Sequence, residues 1–246
     1  MGMRVVTHAN GQRFAEECDC QQTRKLMYAF GRAKIPPKYE RATLESFRRQ
    51  FDGADPSLQE AFVKAKRFAD DYPAMMTPGR GLMFSGSSGL GKTHLAVAIL
   101  QVLVQEKRCD GLFCYYQQLL KDIQNSWNPQ TATTELSVLE PVFNAEVLVL
   151  DDLGSVKPTD WVWDTVAMVL NTRYNHKRVT IVTTNFQNLP AGAAGSGMTL
   201  GDRIGDRMRS RLLEMCWEVK MQGLDFRERF GKEENAGHNS QGRQGS

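Results

Sequence analysis

No run of eighteen apolar residues occurs anywhere in the 246-residue chain, which excludes a helical membrane span. The opening residues, MGMRVVTHANGQRF, lack an apolar stretch followed by small residues, so no secretory leader is expected. Cysteine is scarce, with five residues (Cys18, Cys20, Cys109, Cys114 and Cys216) that are odd in number and scattered. That count fits the reduced thiols of a cytoplasmic protein better than a disulfide frame. A structural zinc site needs four ligands, usually in two pairs. Only Cys18 and Cys20 are close in sequence, with His8 as a possible third ligand, so half a zinc site and two ordinary thiols are both open. A large charge excess is also missing: 31 Lys and Arg against 28 Asp and Glu leave +3, which permits an anionic partner without requiring one. What remains is ordinary, 41% hydrophobic and 24% charged, and suits one α/β domain with small additions.

The strongest signal is Gly81–Ala98, GLMFSGSSGLGKTHLAVA, which reads as a short strand, a glycine-rich turn and a helix beginning at about Lys92. Within it Gly86, Ser87, Ser88, Gly89, Leu90, Gly91, Lys92 and Thr93 fit the phosphate-loop pattern G-x-x-x-x-G-K-[ST], with His94 next in line at the nucleotide. Glycines let successive backbone N–H groups turn inward on a phosphate, where the helix N-terminus adds its positive field. Lys92 supplies a point charge for the β- and γ-phosphates, and the Thr93 hydroxyl a position on Mg²⁺. The chain is therefore expected to bind ATP or GTP.

A second signal is Val147-Leu148-Val149-Leu150-Asp151-Asp152, four apolar residues in a row ending in two acids. Such a run suits a strand buried on both faces of a parallel sheet, and ligands gather at the C-terminal ends of those strands. Asp151 is assigned to Mg²⁺, through water, and Asp152 to polarising the attacking water. Val179–Asn185 is a β-rich run whose tip, Asn185, can hydrogen-bond the γ-phosphate or that water. From Gly201, GDRIGDRMRSRLL as a single helix would align Arg203, Arg207 and Arg211 in one stripe beside Ile204, Met208 and Leu212. The stripe is either a solvated face paired with Asp202 and Asp206 or a source of an arginine for a neighbouring subunit's γ-phosphate.

Between these signals, periodicity predicts helices over Ser57–Ala69, Gln117–Trp127, Glu135–Asn144 and Asp160–His176, and strands over Leu112–Tyr116 and Trp217–Met221. Residues 1–34 are weakly patterned, Asn188–Thr199 is expected to be a mobile loop, and 232–246 a disordered tail.

In this order the motifs resemble the AAA+ ATPases, and more closely the DnaC/DnaI helicase loaders and the related IstB transposition ATPases. Ile35-Pro36-Pro37-Lys38-Tyr39 with Thr43–Phe47 is similar to that family's lead into its ATPase domain. The resemblance covers roughly residues 35 to 230. It implies a three-layer αβα P-loop fold with a parallel five-stranded sheet, a short N-terminal extension at 1–34, an ATPase domain at 35–231 and little or no lid. It further implies Walker A at Lys92 and Thr93, Walker B at Asp151 and Asp152, sensor 1 at Asn185, a finger in trans at Arg207 and sensor 2 at Arg227. Asp152 stands where most AAA+ proteins carry Glu, which points to slow or partner-assisted hydrolysis. The implied cofactors are ATP and Mg²⁺, and the implied partners are the replicative hexameric DNA helicase, single-stranded DNA and further copies of the chain. Tyr115, Tyr116 and Lys121 are candidates for single-stranded DNA by the same resemblance, with core aromatics and a solvated lysine as the other reading. The implied function is ATP-dependent helicase loading in replication; the alternative is a transposition helper that binds duplex DNA and recruits a transposase. A stand-alone P-loop kinase and a non-hydrolysing nucleotide-gated adaptor are further classes compatible with the phosphate loop.

Overall fold

The computed structural model describes residues 3–7, 12–17, 29–74, 79–193, 195 and 197–228. Cys18, Cys20, His8 and the tail from 232 onward lie outside the described residues. Strands β1 (Met3–Thr7) and β2 (Arg13–Glu17) pair antiparallel, Met3 opposite Glu17, in a stretch where the sequence pattern predicts no element.

The rest is built on β3 (Gly81–Ser85), β4 (Gly111–Tyr115), β5 (Val147–Asp151), β6 (Val179–Thr184) and β7 (Cys216–Lys220). All their pairings are parallel and their order is β4-β5-β6-β3-β7. The three inner strands are buried at every position, whereas the edge strands β4 and β7 open to solvent toward their ends. The order has a direct consequence for the site. Because β6 lies between β3 and β5, groups leaving the ends of β3 and β5 face each other across the tip of β6.

One face of the sheet is covered by α1 (Pro56–Asp71) and α2 (Lys92–Gln105). Asp55 starts α1 by accepting the Ser57 N–H at 2.9 Å, Pro56 occupies the first turn, and Leu58, Ala61, Ala65, Phe68 and Ala69 form its buried stripe. Nearly all of α2 is buried, which explains why its apolar residues show no single stripe. The other face carries α3 (Tyr116–Ser126), α4 (Glu135–Asn144), α5 (Asp160–Asn175), α6 (Leu200–Ile204) and α7 (Asp206–Met215). Thr134 and Thr159 cap α4 and α5 through their hydroxyls.

Two expectations are corrected here. Residues 201–213 are not one helix: Gly205, at φ 79° and ψ 146°, breaks it into α6 and α7. The stripe of Arg203, Arg207 and Arg211 therefore does not exist; Arg203 lies on the Phe186 ring, Arg211 on the Tyr174 ring, and of the three Arg207 alone is exposed. Tyr116 belongs to α3 rather than to β4, and its ring is buried, so it offers no stacking surface.

Arg173 on α5 is wholly buried without a carboxylate among its hydrogen-bond partners. It donates to the Val142 and Ala145 carbonyls at the C-terminal end of α4 (2.8 and 2.9 Å), to Val179 O (2.5 Å) and to Thr180 Oγ1 (3.0 Å). One guanidinium thus ties two helices to β6, using carbonyls that the end of α4 leaves without intrahelical partners. Replacing it by Met orphans those carbonyls in the core, so Arg173→Met is expected to lose about 3 kcal/mol in urea unfolding.

Candidate functional site

Residues 86–91 connect β3 to α2 as a loop wrapped around the helix N-terminus. Gly89 and Gly91 have φ of 78° and 83°, in the left-handed region, and both are crowded. A Cβ at Gly89 would collide with the Asp225 carboxylate, and one at Gly91 would lie 2.7 Å from the Phe47 ring. The Lys92 ammonium is buried inside the loop and donates to Gly86 O (2.8 Å) and Ser87 O (2.5 Å). Burial pushes it down to about 8, against the pull of Asp152 and Asp151 in the opposite direction. His94 lines the cleft beside the loop and meets the 43–47 turn, its Nε2 2.9 Å from Thr43 O and 3.2 Å from Ser46 Oγ. It anchors the lead segment to α2.

Across the tip of β6 stands Asp151, the last residue of β5 and itself buried. Its Oδ1 accepts from Thr93 Oγ1 at 2.8 Å and from Thr183 Oγ1 at 2.6 Å. Burial raises its carboxyl above the usual range, and these two donors work in the opposite direction. Asp152 follows with φ 59°, an uncommon conformation for a residue with a side chain. The turn is held by Asp152 N–H to Thr183 Oγ1 (2.9 Å), Leu153 N–H to Thr183 O (2.9 Å) and Thr184 Oγ1 to Leu153 O (2.9 Å). It aims the Asp152 carboxylate at Asn185, whose Nδ2 donates to Oδ1 at 2.7 Å. Thr183 serves both acids at once and was not singled out from the sequence; its one signal there is the pair of threonines directly before Asn185.

These groups line one cleft of about 750 Å³, together with Lys38, Tyr39, Phe47, Phe51, Tyr115, Phe226 and Arg227. Residues 224–227 fold over the loop: Phe226 N–H donates to Gly89 O (3.1 Å) and Arg227 Nη2 to Ser88 Oγ (2.7 Å), while Asp225 pairs with Arg227 at 3.1 Å. Arg227 is thus brought to the phosphate loop. Arg207 is not; it projects from α7 into solvent with no hydrogen bond or ion pair among the described residues. The acids expected to pair with the arginines are mainly engaged elsewhere. Asp202 caps α6 through Thr199 and holds Gly192 N–H (2.9 Å), and Asp206 accepts the Ala191 N–H (2.9 Å) with Arg209 at 3.7 Å. Tyr115 and Lys121 remain exposed.

The donor set fits a polyphosphate with a hard cation. A loop of backbone amides opens at a helix N-terminus, side chains would fill its cradle at Gly89 and Gly91, and a buried ammonium stands within it. The Thr93 hydroxyl and the Asp151 carboxylate, 2.8 Å apart, are the oxygen ligands that Mg²⁺ takes in such sites.

Fold and cleft together define a P-loop nucleotide-binding protein with the AAA+ arrangement of a five-stranded parallel sheet. The chain belongs to the IstB-like ATP binding proteins, whose family profile matches residues 10–234. It is 32% identical over 138 residues to the replicative helicase loader DnaI of Bacillus subtilis, covering 56% of this chain and 43% of that one. It is 24% identical over 185 residues to the replicative helicase loader DnaC of Escherichia coli K12, covering 75% of this chain and 70% of that one. The crystal structure of a DnaC helicase loader superposes with a TM-score of 0.64 at 29% identity, covering 76% of this chain and 100% of that one. The chain spans less than half the length of DnaI. Among the described residues no helix is long and apolar enough to cross a membrane.

The depressed Lys92 carries a prediction with a defined sign. Its pKa is about 8 when folded and about 10.4 when unfolded, so the unfolded chain binds more protons in that window and apo stability rises with pH across it. An anion beside Lys92 raises its pKa again, so nucleotide binding above pH 8 is expected to take up protons. Titration calorimetry in buffers of different ionisation enthalpy measures this uptake, and Lys92→Met should abolish both the uptake and the nucleotide-induced rise in Tm.

Proposed function

We propose that the chain is an ATP-driven loader of a replicative DNA helicase onto single-stranded DNA. The observation that carries this reading is the superposition on the crystallised chain of a DnaC helicase loader, covered to 100% at 29% identity, in a protein whose own fold holds a phosphate-loop cleft. In this reading residues 35–231 are the ATPase domain and 1–34 the extension that faces the partner. Gly86–Thr93 cradles the phosphates of ATP, Lys92 neutralises the β- and γ-oxygens, and Thr93 with Asp151 holds Mg²⁺. The ion supplies charge neutralisation at the terminal phosphates when bound. Asp152 takes the proton of the attacking water, and Asn185 holds that carboxylate in line through its 2.7 Å bond. Arg227 senses the nucleotide from the folded-over segment.

Arg207 is the finger for a neighbouring copy. Its exposure on a short helix whose start is fixed through Gly205 and Asp206 suits a group that acts outside its own subunit. Asp152 is one methylene shorter than the glutamate usual at this position, so turnover is expected to be slow in the isolated protein. Hydrolysis then serves as a timer for release rather than as a sustained motor. A second reading, a transposition helper that assembles on duplex DNA, is favoured by the family profile itself.

Co-migration with the host replicative helicase on a sizing column, with and without ATP and single-stranded DNA, separates the two. A complex of defined ratio supports the loader; ATP-dependent assembly on duplex DNA without helicase binding moves the assignment to the transposition helper. The finger in trans has its own check. Arg207→Ala keeps an intact cleft but offers no finger, and Asp152→Asn offers the finger but no base. Each alone is expected to lose ATPase activity at least tenfold, and mixing them should restore part of it. Absence of recovery in mixtures that still co-assemble would exclude the trans role.

A further inference from the structure

We propose that Lys38 is a second lysine for the terminal phosphate of ATP, and that through it the cleft distinguishes ATP from ADP. The proposal rests on the nucleotide site described above and adds a residue from outside its motifs.

Lys38 stands in the single-turn helix Pro37–Tyr39, where Pro36 is extended (φ −63°, ψ 141°) and Pro37 takes the first helical position. The turn is closed by Tyr39 N–H to Pro36 O at 2.8 Å, and its exit by Ala42 N–H to Tyr39 O at 2.9 Å. Gln101 on α2 donates to the same Tyr39 carbonyl at 2.8 Å. Two prolines and this bond fix the turn against the helix whose other end carries the phosphate loop. The backbone that presents Lys38 is therefore rigidly referenced to the loop, while its four-carbon stem stays free to move.

From that turn Lys38 lines the cleft. Its ammonium lies 4.6 Å from the centre of the Tyr39 ring, the weak seat a cation takes when no anion is at hand. Tyr39 also hydrogen-bonds it, and no ion pair to a carboxylate holds it among the described residues. Tyr115 and Asp151 line the same cleft and interact with it electrostatically. Those two residues sit side by side at the ends of β4 and β5. Lys38 thus approaches the Asp151 end of the cleft, where the cation and the terminal phosphate belong. Arg227 approaches the opposite end, bonded to Ser88.

Of the cations already assigned, Lys92 meets the β- and γ-oxygens from within the loop and Arg207 serves a neighbouring copy, so Lys38 would be a second lysine at the terminal phosphate of its own subunit. Lys92 is buried within the loop on the Gly86 and Ser87 carbonyls, and Arg227 is paired with Asp225. ATP differs from ADP by one phosphoryl group at the far end of the chain of phosphates. A flexible ammonium that reaches only that end binds the triphosphate and leaves the diphosphate almost untouched. Lys38 also follows directly on the N-terminal extension, so its engagement would place the nucleotide state at the junction of the two.

The test is titration calorimetry of the full chain with Mg²⁺ and either a non-hydrolysable ATP analogue or ADP, so that no turnover is needed. Lys38→Met is expected to weaken the analogue about tenfold and ADP less than twofold, and Lys38→Arg to restore most of the loss. An unchanged affinity for the analogue, or equal losses for both nucleotides, overturns the proposal. Lys38 is exposed, and an unchanged Tm of each variant shows that the fold is intact. Lys92→Met distinguishes the two levels of inference. If it abolishes binding while Lys38→Met changes nothing, only the role of Lys38 falls; if the wild-type chain binds neither nucleotide, the site and the role of Lys38 fall together.

Discussion

A carboxylate kept at the buried end of a strand is the constraint around which this cleft is arranged. Asp151 is almost wholly enclosed, and enclosure alone favours its neutral form. Two hydroxyls oppose this, Thr93 from the helix after β3 and Thr183 from β6. Each donates to the same oxygen, so the carboxylate is held in one direction. The strand order makes this possible, since only a strand lying between β3 and β5 can place a side chain beside both. Thr183 is that side chain, and its oxygen also accepts the Asp152 amide and stabilises a turn that few residues with side chains adopt.

The same economy appears on the far side of the loop. The 43–47 turn and residues 224–227 come from opposite ends of the domain and meet over Gly89 and Gly91. Phe47 packs on one glycine and Asp225 on the other, so the loop is clamped by side chains whose positions depend on the whole fold. The clamp leaves the carbonyls of Gly86 and Ser87 to Lys92, whose charge is costly in that enclosure until an anion enters.

Much of this was legible in the chain. The phosphate loop, Asp151, Asp152 and Asn185 stood out because each is a short run in which backbone geometry and chemistry coincide locally: glycine spacing, an apolar strand that ends in acids, a β-rich run that ends in an amide. The helices expected over 57–69, 135–144 and 160–176 were legible within a residue or two of their observed bounds, through periodicity. The arginine segment misled because a four-residue spacing assumes an unbroken helix, and Gly205 breaks it after one turn. For Tyr116 a stacking and a core reading were both open, and its place at the start of α3 rather than in β4 decides for the core.

What the amino-acid order settled alone was the set of short-range commitments: a glycine-rich loop before a helix, strands buried on both faces, and acids at strand ends, all encoded within windows of about ten residues. What only the tertiary structure decided was partnership. Arg173 reaching the end of α4, Thr183 serving two acids, His94 turned to the 43–47 turn, and Arg227 laid on Ser88 each join residues far apart in the chain or depend on how strands are ordered. Such pairs leave no local trace, because a hydrogen bond across the sheet costs the sequence only one residue at each end and no pattern between them.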